Sequence, residues 1–385
     1  MPAGASPCYH TNLQPLKGLT KLQSLIIEAP GANFRDPDPD DTCGRLAVQQ
    51  FPGLLTSLTE LWLPLSAVHD IRSVSTCVGL RDLRLQAESH PRHEWGSHEW
   101  AALAQLTSLI NLHVALDLED EDQIQAKAFY GVLGKLKELR SVGVSYWVPS
   151  FVLQLCRLTQ VTAVRGVWEP AEYALNARMF TCPHIKEVWG AMFAPFPAFP
   201  NLVMAGLSDV CPDDLADLSC YCTGLQKLVL DGSSCSFVES QHEGDDATDS
   251  RAAFRSLARL QHLTHLELLA PGDAELLAFT TAAAALRTPQ LRCLHVRGDV
   301  TVHALMQLQS VRGLEEVCVH VSDSVAAGGT FTVDAVRVWL VGLAAVPKVC
   351  LVVRSAEQQG VFDAARQWAA EMELPLPAVL KVSCA

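Results

Sequence analysis

The spacing of leucine residues is the feature that most limits what this chain can fold into. In the segment LARLQHLTHLELLAP, residues 257–271, leucine recurs every third residue and then, after Leu266, at the second residue, Leu268. An interval of three matches neither the 3.6-residue period of an α-helix nor the two-residue period of a strand. We therefore interpret the change of interval as a turn or short helical approach that leads into a brief strand.

The same change of interval recurs along the chain. Clear copies include LKGLTKLQSLII from Leu16, LTSLTELWL from Leu55 and LAQLTSLINLHV from Leu103, and a final candidate lies near Val382. The apolar residue that opens the last L-x-L of each copy serves as its marker. The markers are Leu25, Leu61, Leu83, Leu112, Val142, Val164, Val188, Ala205, Leu228, Leu266, Leu294, Val317 and Val349. Successive markers are 17 to 38 residues apart, which predicts a solenoid of repeated supersecondary units.

On these copies, the chain resembles the leucine-rich-repeat proteins from about residue 16 to its end. The L-x-x-L-x-L half of the family motif is well matched, but no asparagine occupies the Asn/Cys position that follows it. The resemblance implies an α/β fold. This would be a right-handed horseshoe with a parallel β-sheet on its concave face and with helices and irregular turns on its convex face. The resemblance is to the ribonuclease-inhibitor-like or F-box-LRR-like type, without an F-box.

The repeats predict one long domain. We expect residues 1–15 to form a short N-terminal segment and residues 16–385 a single solenoid of about 13 irregular repeats, with insertions at 29–50, 86–101 and 231–250. The longer spacers contain helix signals. Asp122 opens the segment DQIQAKAFYGVLGKL and suits a helix N-terminus. Further helix signals begin at Asp249 and Asp273. Ser355 begins a capping box at the start of SAEQQGVFDAARQWAA.

Composition and charge limit the classes of partner. The net charge is −13 and the sequence pI is near 5.4, which disfavours DNA or RNA because phosphate needs a basic surface. The 13 cysteines are scattered, and the N-terminus lacks the pattern of a secretory signal. We therefore expect reduced thiols and a cytoplasmic location, with nuclear or cytoskeletal association left open. Arg337, Pro347 and Lys348 interrupt the most apolar stretch, so no membrane span is expected.

The strand pattern predicts which side chains meet a partner. In a strand, the two apolar residues of L-x-L point into the core and the residue between them points to the opposite face. This central row combines aromatic, basic and acidic side chains, which is typical of a protein-binding surface. We predict that the protein-binding residues are Trp62, Arg84, His113, Arg165, Trp189, Glu267, His295 and Cys318. The expected function is a non-catalytic scaffold for protein partners, with no catalytic residue, cofactor, metal or small-molecule substrate.

Two alternatives stay open. Glu267, His295, Cys318 and Cys350 are consecutive in the central row, and thiols and imidazoles on adjacent strands suit a metal-binding or thiol-dependent enzyme or sensor. The other alternative is that the chain is a fragment of a larger leucine-rich-repeat receptor or ubiquitin-ligase substrate receptor.

Three further motifs have simpler interpretations. HEWGSH in residues 88–103 is one residue too long for a HExxH zinc motif, so we expect an exposed loop there, with its tryptophans as anchors or contacts. The acidic run RDPDPDDTCGR, residues 35–45, lacks the glycine and glutamate of a calcium loop. Cys220, Cys222 and Cys235 do not form paired CxxC knuckles, and we expect Cys222 in the core.

Overall fold

A computed structural model gives the fold. It describes residues 19–27, 56–64, 71–86, 97–114, 123–147, 149–168, 181–191, 196–208, 212–231, 252, 254–269, 273–286, 290–298, 307–321, 333–353, 356–374, 376–377 and 379–384. The chain divides into two compact units, residues 1–180 and 181–385. The insertion at 29–50, with its acidic run, lies outside the described residues, as do most of the insertions at 86–101 and 231–250.

The first unit contains a parallel sheet whose strands neighbour one another in chain order. Its described strands are β1 Ser24–Ile26, β2 Glu60–Pro64, β3 Asp82–Gln86, β4 Asn111–Val114, β5 Ser141–Trp147 and β6 Ala163–Trp168. The register places marker beside marker, as in Leu61 opposite Leu83 and Leu112 opposite Val142. The predicted repeats are therefore confirmed at the level of individual residues in this unit.

The second unit repeats the arrangement. Its described strands are β7 Glu187–Ala191, β8 Met204–Ser208, β9 Lys227–Asp231, β10 His265–Leu269, β11 Cys293–Gly298, β12 Glu316–Val321, β13 Lys348–Val353 and β14 Val379–Cys384. The markers again lie side by side, and the segment near Val382 is a strand. Its marker is Leu380, which is opposite Val349. Both units thus have the strand order and register of a leucine-rich-repeat solenoid with α/β composition.

Helices occupy many of the spacers between strands. The described α-helices are α1 Ser97–Leu103, α2 Gln123–Leu133, α3 Pro149–Leu155, α4 Pro212–Tyr221, α5 Asp273–Leu286, α6 Val333–Gly342 and α7 Ala356–Glu371. Short 3-10 helices lie at Ile71–Thr76, Phe196–Ala198 and Gln307–Ser310. The helices predicted at Asp122, Asp273 and Ser355 are confirmed by α2, α5 and α7. Within the described residues, no helix has both the length and the apolar character needed to cross a membrane.

The core lies on the side of the sheet to which the L-x-L pairs point. In β13, buried and half-buried residues alternate along the whole strand, and Leu83 and Leu85 of β3 are completely buried. In the first unit the helices add an aromatic cluster. The ring centroid of Phe129 in α2 lies 5.4 Å from that of Trp100 in α1 and 6.5 Å from that of Phe151 in α3.

The position of Trp100 corrects one sequence-based expectation. Residues 88–103 were expected to form an exposed loop, but Ser97–Leu103 is a helix and Trp100 is only 2% exposed. The segment SHEWAAL has good helix-forming residues after Ser97, and burial of the indole ring against Phe129 removes a large apolar surface from water. Trp100 is therefore a core residue, which agrees with the anchoring role that the sequence left open.

Among the strand pairs that the structure describes in each unit, two have a shift of register. The pairing of β5 with β6 shifts after Gly143, so that Tyr146 rather than Ser145 lies opposite Val167. The pairing of β7 with β8 shifts after Trp189. At this second bulge Gly190 has a φ of 72°, a left-handed conformation that glycine adopts without the steric cost of a Cβ atom.

The described cysteines include both free thiols and disulfide-bonded residues. Cys222 is completely buried, which confirms its predicted place in the core, and burial raises the pKa of its thiol to about 12. Cys156 and Cys182 are disulfide-bonded, so the expectation that the thiols are reduced is wrong for these two. A scattered cysteine pattern does not reveal which pairs the fold brings into bonding distance.

The aromatic cluster gives a test of the core. Replacing Phe129 with alanine removes a fully buried ring between two aromatic neighbours, and we expect the free energy of unfolding to fall by about 3–5 kcal/mol. A urea denaturation series of the full chain measures this. Gly131→Ala on the same helix is the matched control, because a Cβ atom there meets no atom within 4 Å and alanine favours helix by about 1 kcal/mol. A Phe129→Ala cost below about 1 kcal/mol would contradict the packing described.

Candidate functional site

The eight residues predicted to bind a partner all occupy the central position of their strands. We call the face of each sheet that carries this central row the strand face. In the first unit, the register aligns Ile26, Trp62, Arg84, His113, Gly143 and Arg165. In the second unit, it aligns Trp189, Gly206, Val229, Glu267, His295, Cys318, Cys350 and Lys381. The sequence pattern thus predicted the strand position of all eight residues.

In the first unit, Arg84 is held on two sides. Its Cζ atom lies 4.0 Å from the ring centroid of Trp62, its neighbour in the row. Its Nε donates to Oδ1 of Asp82 at 3.2 Å. The amide of Asn111 donates to the other oxygen of Asp82 at 3.1 Å. Stacking and ion pairing together fix the plane of the guanidinium group, so its remaining N–H groups have a defined direction.

Next to Arg84 in the row, the ring of His113 lies against Gly143. A Cβ atom added at Gly143 would be 2.9 Å from Cγ of His113 and 3.3 Å from Cβ of Arg165. Burial lowers the pKa of His113, and the positive charges of Arg165 and Arg84 lower it further, while Asp82 acts in the opposite direction. His113 is therefore neutral at physiological pH, and one ring nitrogen can accept a hydrogen bond.

These residues surround a shallow depression on the strand face of the first unit. Its volume is about 50 Å³, and it is lined by Asp82, Arg84, Asn111, Leu112, His113, Ser141, Gly143 and Arg165. Two guanidinium groups and one carboxylate give the lining a local excess of positive charge, because His113 is neutral. The donors of Arg84, Arg165, Asn111 and Ser141 suit a carboxylate or another oxygen-rich group on a partner.

A second aromatic group lies on the strand face of the second unit. Trp189 covers its row neighbour Gly206: a Cβ atom there would be 2.6 Å from Cζ3 of the indole and closer still to Cε3. The indole nitrogen donates to Oε2 of Glu187 at 3.3 Å, and Nζ of Lys227 lies 6.0 Å from the ring centroid. Trp189 is therefore an ordered, half-buried surface residue with a fixed ring plane.

Farther along this face, the charged residues form ion pairs. Arg297 contacts Glu267 at 2.9 Å, and Nζ of Lys348 donates to Oε1 of Glu316 at 2.6 Å. His295 Nε2 lies 3.8 Å from the same oxygen of Glu316. The hydrogen bond from Lys348 lowers the pKa of Glu316, although partial burial of the carboxylate works against it. Glu267 and Glu316 are thus already engaged by cations of their own sheet.

The thiols at this end of the face are Cys293, Cys318 and Cys350, which are free and half-buried. Burial raises the pKa of Cys318 to about 12, and the neighbouring Cys350 contributes to the rise. Burial likewise raises the pKa of Cys293, with a contribution from Glu316. Among the residues with described positions, no three or more His, Cys, Asp or Glu side chains are arranged to hold a metal ion.

Sequence reasoning did not single out the two glycines of the central row. Gly143 and Gly206 each give an aromatic neighbour, His113 or Trp189, a place to lie flat on the sheet. A signal existed, because glycine is disfavoured within strands unless a large group approaches the backbone closely. The sequence pattern also did not predict that Asp82 supports Arg84, because it assigns residues to faces of the sheet and does not identify side-chain partners.

The environment of His113 gives a pH prediction. Because burial and two guanidinium groups disfavour the protonated ring, the unfolded chain binds this proton more readily than the folded chain. The free energy of unfolding should therefore decrease as the pH falls below about 6.5, the ordinary histidine value. His113→Gln should reduce this pH dependence, measured by urea denaturation at several pH values. An NMR titration that places the His113 pKa above its ordinary value would contradict the description.

The contact between Trp189 and Gly206 predicts a strong coupling. Gly206→Ala inserts a methyl group under the indole and should lower the free energy of unfolding by about 1–3 kcal/mol. In a Trp189→Ala background, the same change should cost almost nothing, because the colliding ring is absent. A double-mutant cycle by urea denaturation measures the coupling. Equal costs of Gly206→Ala in the two backgrounds would show that the indole does not lie on Gly206.

Comparisons with known proteins find only distant similarities, to solved structures. No family model and no curated protein matches the chain. Among solved structures, it is similar to an internalin from Listeria monocytogenes at 12% identity, with 77% of this chain and 75% of the internalin covered and a TM-score of 0.35. It is also similar to internalin C2 from the same organism at 13% identity, with 51% of this chain and 80% of that chain covered and a TM-score of 0.28. The leucine-rich-repeat solenoid rests on the strand register and alternating burial.

Proposed function

We propose that this protein is a non-catalytic interaction scaffold that binds a protein partner through its strand face. The depression in the first unit is the observation that carries the proposal. Arg84, His113 and Arg165 line it from consecutive or near-consecutive strands, and Trp62 stacks on Arg84 from the next strand. Arginine and tryptophan are the residue types that contribute most at protein interfaces. The rest of the predicted set, Trp189, Glu267, His295 and Cys318, lies on the strand face of the second unit, and we propose that it binds a partner there.

The chemistry of the depression indicates an acidic segment of the partner. Arg84 is oriented before binding by Trp62 and Asp82, so little side-chain entropy is lost when it receives a carboxylate. Arg165 is exposed at the other side of Gly143. The whole chain carries a net charge of −13, but salt screens distant charges over roughly 8 Å at physiological ionic strength. The guanidinium groups of Arg84 and Arg165, rather than the net charge of the chain, therefore determine which group of a partner binds at the depression.

Several finer features belong to the same proposal. We propose that the repeats are of the ribonuclease-inhibitor-like type, which the helices in many spacers support. We also propose a cytoplasmic location, where the strand face meets protein partners. The proposal includes no nucleic acid, membrane, cofactor or small-molecule substrate as a partner. It treats residues 16–385 as a single solenoid that follows a short N-terminal segment.

Two substitutions in the depression test the proposal. Partners are captured from a lysate with the full chain, identified by mass spectrometry and measured against the purified protein. Arg165→Ala removes one donor, and Gly143→Ala fills the floor and displaces the ring of His113. Each should weaken binding of an acidic partner at least about tenfold, and higher salt should weaken wild-type binding as well.

Arg157→Ala is the matched control for the loss of charge. Arg157 is exposed at the end of α3 and away from the strand face, so its removal should leave affinity unchanged. If partner affinity survives both Arg165→Ala and Gly143→Ala, the depression is not the binding surface. If Arg157→Ala weakens binding equally, net charge rather than the site controls the interaction.

A further inference from the structure

Two thiols face each other across adjacent strands in the second unit. Cys318 in β12 is directly opposite Cys350 in β13 in the parallel register. Both occupy the central row, both are half-buried and both are free. Neither belongs to the apolar L-x-L pair of its strand, because Val317 and Val319 are the buried residues around Cys318. Packing of the core therefore does not account for the pair.

The separation of the two residues suits a disulfide bond. Neighbouring strands lie about 4.8 Å apart, and bonded cysteines have Cα atoms roughly 4.4–6.8 Å apart. Both side chains project from the same face of the sheet, so the two thiol groups lie next to each other. A hydrogen bond between the two thiols contributes to the raised pKa of Cys318. Oxidation thus requires rotation of side chains and no change of register.

The pKa of Cys318 suggests the order in which the two thiols act. Cys318 keeps its proton because burial and the adjacent Cys350 both raise its pKa. Cys318 is therefore a poor initial nucleophile, and it is placed to act second, after Cys350.

We infer that Cys318 and Cys350 form a redox-active dithiol whose substrate is a low-molecular-weight disulfide. In the first step, the Cys350 thiolate attacks one sulfur of that disulfide, forms a mixed disulfide and releases one thiolate. In the second step, Cys318 loses its proton to solvent and attacks Sγ of Cys350, which expels the second thiolate. The protein loses two electrons and two protons, and the small disulfide is reduced to two thiols.

The product is a covalent link between β12 and β13 on the strand face. It lies beside His295, which is opposite Cys318 on β11. Oxidation would therefore alter the surface next to Glu267 and His295 without breaking a buried contact. This inference does not depend on the proposed partner binding, since it concerns only two thiols and a small disulfide.

Mass spectrometry of the purified full chain tests the inference with oxidised glutathione as the probe. The wild type should give linked peptides containing Cys318 and Cys350, with the loss of two hydrogen atoms and no glutathione on either residue. Cys220 is exposed at the end of α4 and free, so it should carry a persistent glutathione adduct. This difference between sites in one sample does not require any variant to fold.

Variants separate the two roles. Cys318→Ser should trap glutathione on Cys350, and Cys350→Ser should slow modification of Cys318 at least about tenfold, because the buried thiol has little thiolate. Cys293→Ser, on the neighbouring β11, is the control and should leave the linked peptides unchanged. A lasting adduct on Cys350 in the wild type, or two unmodified thiols while Cys220 reacts, would overturn the inference.

Discussion

The structure depends on the burial of two apolar residues per strand on one side of a parallel sheet. Each L-x-L pair is too small to form a core alone, so a strand is stable only when its neighbours bury their pairs beside it. A shift of one residue would turn every apolar side chain of a strand to the other face. The alignment of Leu61, Leu83 and Leu112 in adjacent strands is the result of that constraint.

The same constraint fixes the strand face. Once the apolar residues are buried, the residues between them form a row whose members lie on neighbouring strands. Large and small residues alternate in parts of this row, so His113 lies against Gly143 and Trp189 against Gly206. The side chains are thereby ordered before any partner arrives, which lowers the entropic cost of binding. Core and surface are thus specified by alternate residues of one pattern.

The repeat pattern predicts most of the fold but only part of the site. Its markers predicted the strands and the strand positions of all eight candidate residues, because a period of two assigns each residue to a face. It failed where local geometry departs from that period, at the bulges after Gly143 and Trp189. It also missed the helix Ser97–Leu103 and left the role of Trp100 open, since burial there depends on Phe129 from another helix. The support of Arg84 by Asp82 and Trp62 could not be predicted because it requires rotamers.

The central claim is that partners meet the strand face of the first unit and not its helices. Hydroxyl-radical footprinting of the full chain, with and without a captured partner, measures this directly at individual side chains. The account predicts protection of Trp62 and His113, while exposed residues of α2, such as Lys127, remain equally reactive. Protection of Lys127 and its neighbours, with Trp62 and His113 unchanged, would contradict the account.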